Sequence, residues 1–118
     1  MAAGEVRGQQ AANADRHDFA ASMDAAMARM DRGMMTPPTG NPDRDFARMM
    51  IPHHQGAIDM AEAELRFGHD PVLRRLAQGI IVEQQQEIVV MRQSLNAPPA
   101  ARATVAAPPN STTQELKK

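Results

Sequence analysis

Apolar residues recur every three or four positions in three separate segments of the chain, which is the spacing of amphipathic helices. The first segment runs from about Asp15 to Gly33 or Met35, and the second runs from a predicted N-cap at Asn41 to a stop at Gly68. Pro52 falls inside the second segment and should kink that helix or split it in two. The predicted inward stripes of these two helices are Phe19, Met23, Met27, Met30 and Met34, and Phe46, Met49 or Met50, His53, Ala57, Met60, Glu64 and Phe67.

The third segment begins with Asp70 as the predicted N-cap and Pro71 directly behind it, a common start of a helix. Its predicted inward stripe is Leu73, Leu76, Ile80, Gln84, Glu87 or Ile88, Met91 and Leu95. No segment shows the alternation of a strand. Because the connections are short, the sequence predicts an all-α fold, a small antiparallel bundle of three main helices.

Composition limits the size of the domain and its partners. Residues 1–13 are expected to be a flexible segment, residues 14–96 the helical metal-binding domain, and residues 97–118, rich in Pro, Ala, Ser and Thr, a disordered tail. A core of on the order of 80 residues is marginal by itself, so a homodimer is expected to complete it. The net charge of −1 offers no basic surface for nucleic acid. No apolar run approaches the ~20 residues of a membrane span.

Candidate metal ligands are concentrated in residues 49–61, which hold two of the four histidines and three methionines. Met49 lies one helical turn before His53, Met60 lies two turns after His53, and Met50 lies one turn before His54. Neighbouring helical residues point about 100° apart. The two histidines therefore either reach one ion through different ring nitrogens or serve two neighbouring sites.

Methionines of the other two helices extend the candidate set. Antiparallel packing of the first helix on the second would bring Met30 and Met34, with Met27 on the same stripe, towards His53. Met91 would approach from the third helix. Thioether and imidazole groups together favour Cu(I), and by chemical similarity Ag(I). The chain has no Cys and no Glu-x-x-His motif, so a zinc site and a ferritin-type di-iron site fit poorly.

A structural interpretation stands beside the metal one. Methionine commonly fills small cores, and for Met23 and Met27 core packing is the default. Glu83 and Glu87 are expected on a solvated edge or paired with arginines, and they are minor candidates as oxygen donors to a metal. The alternative function is a non-metal interaction module that uses its methionine-rich helical face for oligomerisation. A copper-dependent oxidase fits less well, because few ligands suited to Cu(II) are present.

Residues 46–61, Phe-Ala-Arg-Met-Met-Ile-Pro-His-His-Gln-Gly-Ala-Ile-Asp-Met-Ala, resemble the signature of a large bacterial family known as domain of unknown function 305. The helix start at residues 70–72 and residues 87–91 resemble the same family. The resemblance implies a ferritin-like all-α bundle that is usually exported to the periplasm or cell surface. Its CopM-like members imply copper binding linked to copper resistance. Carried onto this chain, the resemblance points to Met49, Met50, His53, His54, Met60 and Met91 as ligands.

These features predict a non-enzymatic Cu(I)-binding protein, periplasmic or secreted, that sequesters copper for copper tolerance or hands it to a copper-handling partner protein. Copper is the expected metal, with silver as a surrogate. The candidate ligands are His53, His54, Met49, Met50, Met60, Met30, Met34, Met91 and Met27.

Overall fold

The computed structural model describes residues 2–97, with side chains from residue 5 onward. Three helices make up this range: α1 (Ala2–Met34), α2 (Pro42–Phe67) and α3 (Pro71–Asn96). No strand occurs among the described residues, which confirms the predicted all-α fold. Within the same range, no helix is both long enough and apolar enough to cross a membrane. The tail predicted from residue 97 onward lies, apart from Ala97, outside the described residues.

Helix α1 begins at Ala2, so the predicted start near Asp15 is wrong. Every described side chain from residue 5 to residue 18 is exposed, and Phe19 is the first to be partly buried. This extension packs little because it has no apolar stripe. Hydrophobic periodicity therefore could not reveal that it is helical. The many alanines and glutamines there favour helix by intrinsic propensity alone.

The starts of α2 and α3 and the end of α2 agree with the prediction. The Asn41 side chain accepts a hydrogen bond from the Arg44 amide at 3.1 Å. The Asp70 carboxylate accepts from the Val72 amide at 2.8 Å and from the Leu73 amide at 3.1 Å. Gly68 ends α2 and donates its N–H to the Glu64 carbonyl at 2.7 Å. These contacts satisfy backbone groups that the helix ends leave free.

The connection between α1 and α2 is fastened by one carboxylate. Asp45 accepts hydrogen bonds from the Thr39 amide at 2.8 Å, from the Thr39 hydroxyl at 2.7 Å and from the Gly40 amide at 3.3 Å. Gly40 has a φ of +89°, which a residue without a side chain adopts readily. The hydrogen bonds from the Thr39 hydroxyl and amide, with a smaller effect of Gly40 and Arg48, lower the pKa of Asp45 below its usual value.

Helix α2 lies between the other two helices. Its neighbour α1 is antiparallel: a Cβ added to Gly56 would lie 2.7 Å from Met30 Sδ, whereas Phe19, near the opposite end of the contact, packs on Phe67 with ring centroids 6.4 Å apart. On the other side, His54 contacts Glu87 of α3, and a Leu65 carbonyl accepts from Arg74 at 2.6 Å. Among the described residues, α1 and α3 scarcely touch each other.

The positions of these contacts show that the three helices form a layer. Gly56 faces α1 and His54 faces α3, and residues two positions apart on a helix point about 160° apart around its axis. Two sides of α2 are therefore left between its neighbours. One is polar, with Gln55 and Asp59 hydrogen-bonded at 3.1 Å and Arg29 of α1 paired with Asp59 at 3.2 Å. The other side carries His53.

The core consists mainly of small side chains, and the prediction of which stripes point inward is partly wrong. The buried hydrophobic residues are Ala26, Ala47, Ile58, Ala61, Ala63, Ala77 and Ile88. Several large side chains that were predicted to point inward are exposed, namely Met27, Phe46, Met49, Leu73 and Leu76. Alanine and glycine faces allow α2 to approach both neighbours closely, and the larger side chains are left beside these contacts.

Helix α2 continues through Pro52 without interruption, so the alternative in which Pro52 splits the helix is wrong. Pro52 lies against Gly33, where an added Cβ would be 2.5 Å from the proline Cβ. The proline lacks the amide that would bond the Arg48 carbonyl. The contact with Gly33 shows how closely α1 approaches α2 at this point.

Candidate metal centre

His54 is the one buried polar residue among the described side chains, with 7% of its surface exposed. Its Nε2 lies 2.5 Å from Glu87 Oε1 across the α2–α3 contact. Its Nδ1 is buried and has no hydrogen-bond partner. Because an ionised carboxylate only accepts, the neutral imidazole that fits this contact carries its proton on Nε2. Nδ1 then presents a free lone pair inside the protein.

Glu87 is the residue that the sequence-based account of the site missed. The prediction placed it on a solvated edge or next to arginines, whereas its carboxylate holds His54. The side chain is 59% exposed, so its charge remains hydrated while one oxygen reaches inward. The sequence did indicate that Glu87 could face inward, since position 87 falls within the apolar stripe predicted for α3. Its contact with His54 could not be predicted, because that contact depends on the register between α2 and α3.

Two methionines lie close in register to His54. Met50 is one turn before His54 on α2, and Met91 is one turn after Glu87 on α3; both are partly buried. Because α2 and α3 are antiparallel and His54 meets Glu87, positions 50 and 91 fall at the same level of the contact. We call His54, Glu87, Met50 and Met91 the inner group.

His53 lies in a different environment from His54. It is exposed, its ring centroid is 6.2 Å from that of His54, and the two ring planes are tilted by 58°. Met49, one turn before it, is 40% exposed, and Met60, two turns after it, is partly buried. We call His53, Met49 and Met60 the outer group. The geometry thus places the two histidines in surroundings of different exposure, one enclosed and one open to solvent.

The methionines of α1 are divided by their contact with α2. Met30 lies across Gly56 at the α1–α2 contact, and Met34 follows Gly33, which lies against Pro52. Met27 is 43% exposed. It is two residues before Arg29, which points to the polar side, so Met27 points towards the side that carries His53. Antiparallel packing therefore brings Met30 and Met34 to the level of residues 52–56, as expected from the sequence.

Ligand chemistry at these positions is soft. Nowhere in the described part of the chain do three or more His, Asp or Glu side chains gather where they could hold a metal ion. Apart from the Glu87 carboxylate, the metal donors in register with the histidines are thioethers, which bind Cu(I) and Ag(I) and are poor ligands for hard cations. His17 and His69 lie outside both groups, and both are exposed.

Comparison with known protein families identifies the chain at the family level. Residues 2–95 match the family described as Domain of unknown function (DUF305), so the chain belongs to that family. This confirms the family resemblance drawn from residues 46–61. No curated protein matches the chain.

Proposed function

We propose that this protein binds Cu(I) through imidazole and thioether ligands, with His54 as the protected ligand of the inner group. The observation that carries the proposal is the state of the His54 ring: Nε2 is held by Glu87 at 2.5 Å, and the buried Nδ1 has no partner. A buried polar atom without a partner costs free energy on the order of 1–3 kcal/mol. A bound metal ion would remove that cost.

The contact between His54 and Glu87 resembles that of a metal-binding histidine whose second ring nitrogen is hydrogen-bonded to a carboxylate. A histidine that binds metal usually donates its other ring N–H to a carboxylate or a carbonyl, which fixes the tautomer and the orientation of the ring. Glu87 supplies the carboxylate. Met50 and Met91, at the same level of the α2–α3 contact, are the nearest soft donors in register. Together they support a site for Cu(I), with Ag(I) as a surrogate.

The outer group supports a second role, the transfer of Cu(I) to or from another protein. His53 and Met49 are exposed and thus accessible to another protein, whereas His54 is enclosed. A protein that carries one enclosed and one accessible group of ligands suits sequestration of copper or its handover to a copper-handling partner. The proposal places this function in the periplasm or outside the cell and includes no enzymatic activity.

Anaerobic titration with Cu(I) against a chromogenic Cu(I) chelator tests the proposal. We expect the wild-type chain to compete for Cu(I), and we expect His54→Ala to weaken the tightest site by at least about tenfold. His69→Ala is the matched control, because His69 is an exposed loop histidine, and its affinity should equal that of the wild type. Equal affinities of His54→Ala and the wild type would contradict the proposal.

A second candidate function is a non-metal interaction module, and the exposed side chains of Phe46, Leu73 and Leu76 favour it. Replacement of Met30, Met34, Met49 and Met50 by Leu separates the two candidates, because it preserves apolar volume and removes sulfur. If copper binding disappears while the fold persists, the methionines are ligands. If neither form binds copper, the interaction module is the better description.

A further inference from the structure

The side chain of Met30 fills the space beside Gly56 at the contact between α1 and α2, where Gly56 is buried. A Cβ added to Gly56 would lie 2.7 Å from Met30 Sδ, 3.1 Å from its Cβ and 3.2 Å from its Cγ. These distances are all shorter than an ordinary van der Waals contact between carbon atoms. The thioether of α1 therefore lies directly against the backbone of α2, and only a glycine at position 56 leaves room for it.

A second glycine lies at the same contact, one turn after Met30 on α1. A Cβ added to Gly33 would lie 2.5 Å from Pro52 Cβ and 3.2 Å from Pro52 Cγ. The proline ring is rigid and cannot turn aside, whereas a methionine has three rotatable bonds. An alanine at position 33 would therefore push the helices apart, because the distance between packed helices depends on the side chains at their contact. An alanine at position 56 would instead displace the sulfur of Met30.

Three soft donors lie around these glycines. Met30 and Met34 are one turn apart on α1, so their Cβ atoms lie about 5–6 Å from each other. Met30 is at the level of Gly56 and Met34 is next to the residue that contacts Pro52. On α2, His53 lies between those two levels. The imidazole is thus placed opposite the gap between the two thioethers.

The three donors point to the same side of the layer. Ala26 is fully buried and marks the side of α1 that faces α2, its main neighbour. Met30 and Met34 lie about 40° and 80° from Ala26 around the axis. This rotation is away from Arg29, which points to the polar side, and therefore towards the side that carries His53. Met30 and Met34 are partly buried and His53 is exposed, so the donors line an edge of the contact that solvent can reach.

Helix α2 alone does not surround an ion at His53. Met49 and Met60 are eleven residues apart, which is about 16 Å along the helix axis. One ion near His53 can therefore reach only one of these two sulfur atoms. The methionines of α1 lie across the contact at the level of His53 and are the nearest further source of sulfur in register.

We propose that His53, Met30 and Met34 hold Cu(I) across the contact between α1 and α2, and that Gly56 and Gly33 position the two sulfur atoms for it. This assignment rests on the proposed function, because it requires that the protein binds Cu(I). One neutral imidazole and two thioethers form a soft donor set that suits Cu(I). Copper at this site joins α1 to α2, whereas the inner group lies at the contact between α2 and α3.

NMR of the full chain, labelled with carbon-13 in its methionine methyl groups, shows which sulfur atoms bind. Under argon, we expect two equivalents of Cu(I) to shift the methyl resonances of Met30 and Met34. Met35 is the control, because it lies beyond the end of α1 and is 78% exposed, and its resonance should stay in place. Unshifted resonances of Met30 and Met34 beside shifted ones of Met50 or Met91 would overturn this inference and leave the proposed function intact. If no methionine resonance shifts, the proposed function fails as well.

Gly56→Ala tests the positioning of Met30 without removing a ligand. We expect the affinity for the second equivalent of Cu(I) to fall about tenfold or more, as happens when residues that orient metal ligands are changed, and the Met30 methyl resonance to lose its response. Gly79→Ala is the matched control: it is also a change within a helix, and an added Cβ there has nothing within 4 Å. Its affinity should equal that of the wild type. Far-ultraviolet circular dichroism checks that both variants are helical.

A double-mutant comparison separates positioning from packing. Met30→Leu keeps the apolar volume and removes the sulfur, so its affinity for the second equivalent of Cu(I) should fall while its fold persists. In the Met30→Leu background, Gly56→Ala should cause no further loss, because the sulfur that it displaces is already absent. A further loss of the same size would overturn the positioning role of Gly56. An unchanged affinity of Met30→Leu would overturn the site itself, and this result does not depend on the folding of any glycine variant.

Discussion

His53 and His54 are neighbours in sequence and differ in almost every physical property that matters to a metal ion. His54 is enclosed between α2 and α3, oriented by Glu87, and has one ring nitrogen without a partner. His53 is exposed, on a side of α2 that lies between the contacts with α1 and α3. One residue of helical rotation, about 100°, separates the two environments because α2 is contacted by α1 and α3 on nearly opposite sides. A pair of adjacent histidines is therefore not necessarily one site.

The largest expected effect is a loss of stability when a side chain buried at the α2–α3 contact is truncated, compared with one on the exposed surface. Ile58, at 2% exposure the most enclosed large side chain, faces α3. We expect Ile58→Ala to lower the free energy of unfolding by about 2–4 kcal/mol, through lost burial and the cavity left behind. Urea denaturation followed by circular dichroism measures the change. Val82→Ala should alter stability by no more than about 0.5 kcal/mol, and a similar loss in both variants would contradict the assignment of the core.

The comparison of the two histidines can be made directly in the absence of metal. His54→Ala removes a hydrogen bond to a charged group and opens a small cavity, and it also removes the cost of the unpartnered Nδ1. We therefore expect a net loss of about 1 kcal/mol. His53→Ala should change the free energy of unfolding by less than about 0.5 kcal/mol. Equal effects would mean that the two rings share one environment.

Glu87 either orients His54 as a metal ligand or only holds α2 and α3 together, and Cu(I) affinity distinguishes the two roles. Glu87→Gln keeps the size of the side chain and an acceptor oxygen but removes the charge. We expect Cu(I) affinity to fall by about tenfold, measured by chelator competition. Glu83→Gln, one turn earlier on the exposed surface of α3, should bind copper like the wild type. If both variants bind alike, Glu87 does not act through His54.

The smallest expected effect is a pH-dependent change in stability from Asp45, which fastens the connection between α1 and α2. Since the pKa of Asp45 is lowered in the folded state, its ionisation stabilises the fold at pH values above the usual range for aspartate. That stabilisation is lost as the pH falls through the lowered pKa. Asp45→Asn should therefore be less stable than the wild type near neutral pH, and the difference should disappear in acid, as measured by urea denaturation at several pH values. Asp43→Asn, in the same first turn, is the control.

Much of the fold could be predicted from local signals. The helix caps at Asn41 and Asp70, the prolines behind them and Gly68 define both ends of α2 and the start of α3 to the residue, because capping depends on a few adjacent atoms. The antiparallel order followed from short connections. The start of α1 could not be found in this way, since the exposed extension before Phe19 has neither an apolar stripe nor a capping signal.

The choice between core and surface could not be predicted from periodicity. The stripe with Phe46, Met49 and His53 is largely apolar, and a helix with a single partner could bury it. Helix α2 instead has two partners, and it contacts them through smaller faces centred near Gly56 and Ile58. Small residues contribute little to a hydrophobic pattern, although they permit close packing. The same limit hid the partner of Glu87, because it depends on the register between two helices.

The central claim is that His54 offers a free Nδ1 to Cu(I), and long-range proton–nitrogen correlation NMR of the histidine rings tests it most directly. We expect neutral His54 in the metal-free protein to carry its proton on Nε2. Addition of Cu(I), which is diamagnetic, should then shift the Nδ1 resonance of His54 while His17 and His69 stay unchanged. A proton found on Nδ1 of His54, together with an unchanged spectrum of that ring after Cu(I) is added, would contradict the claim.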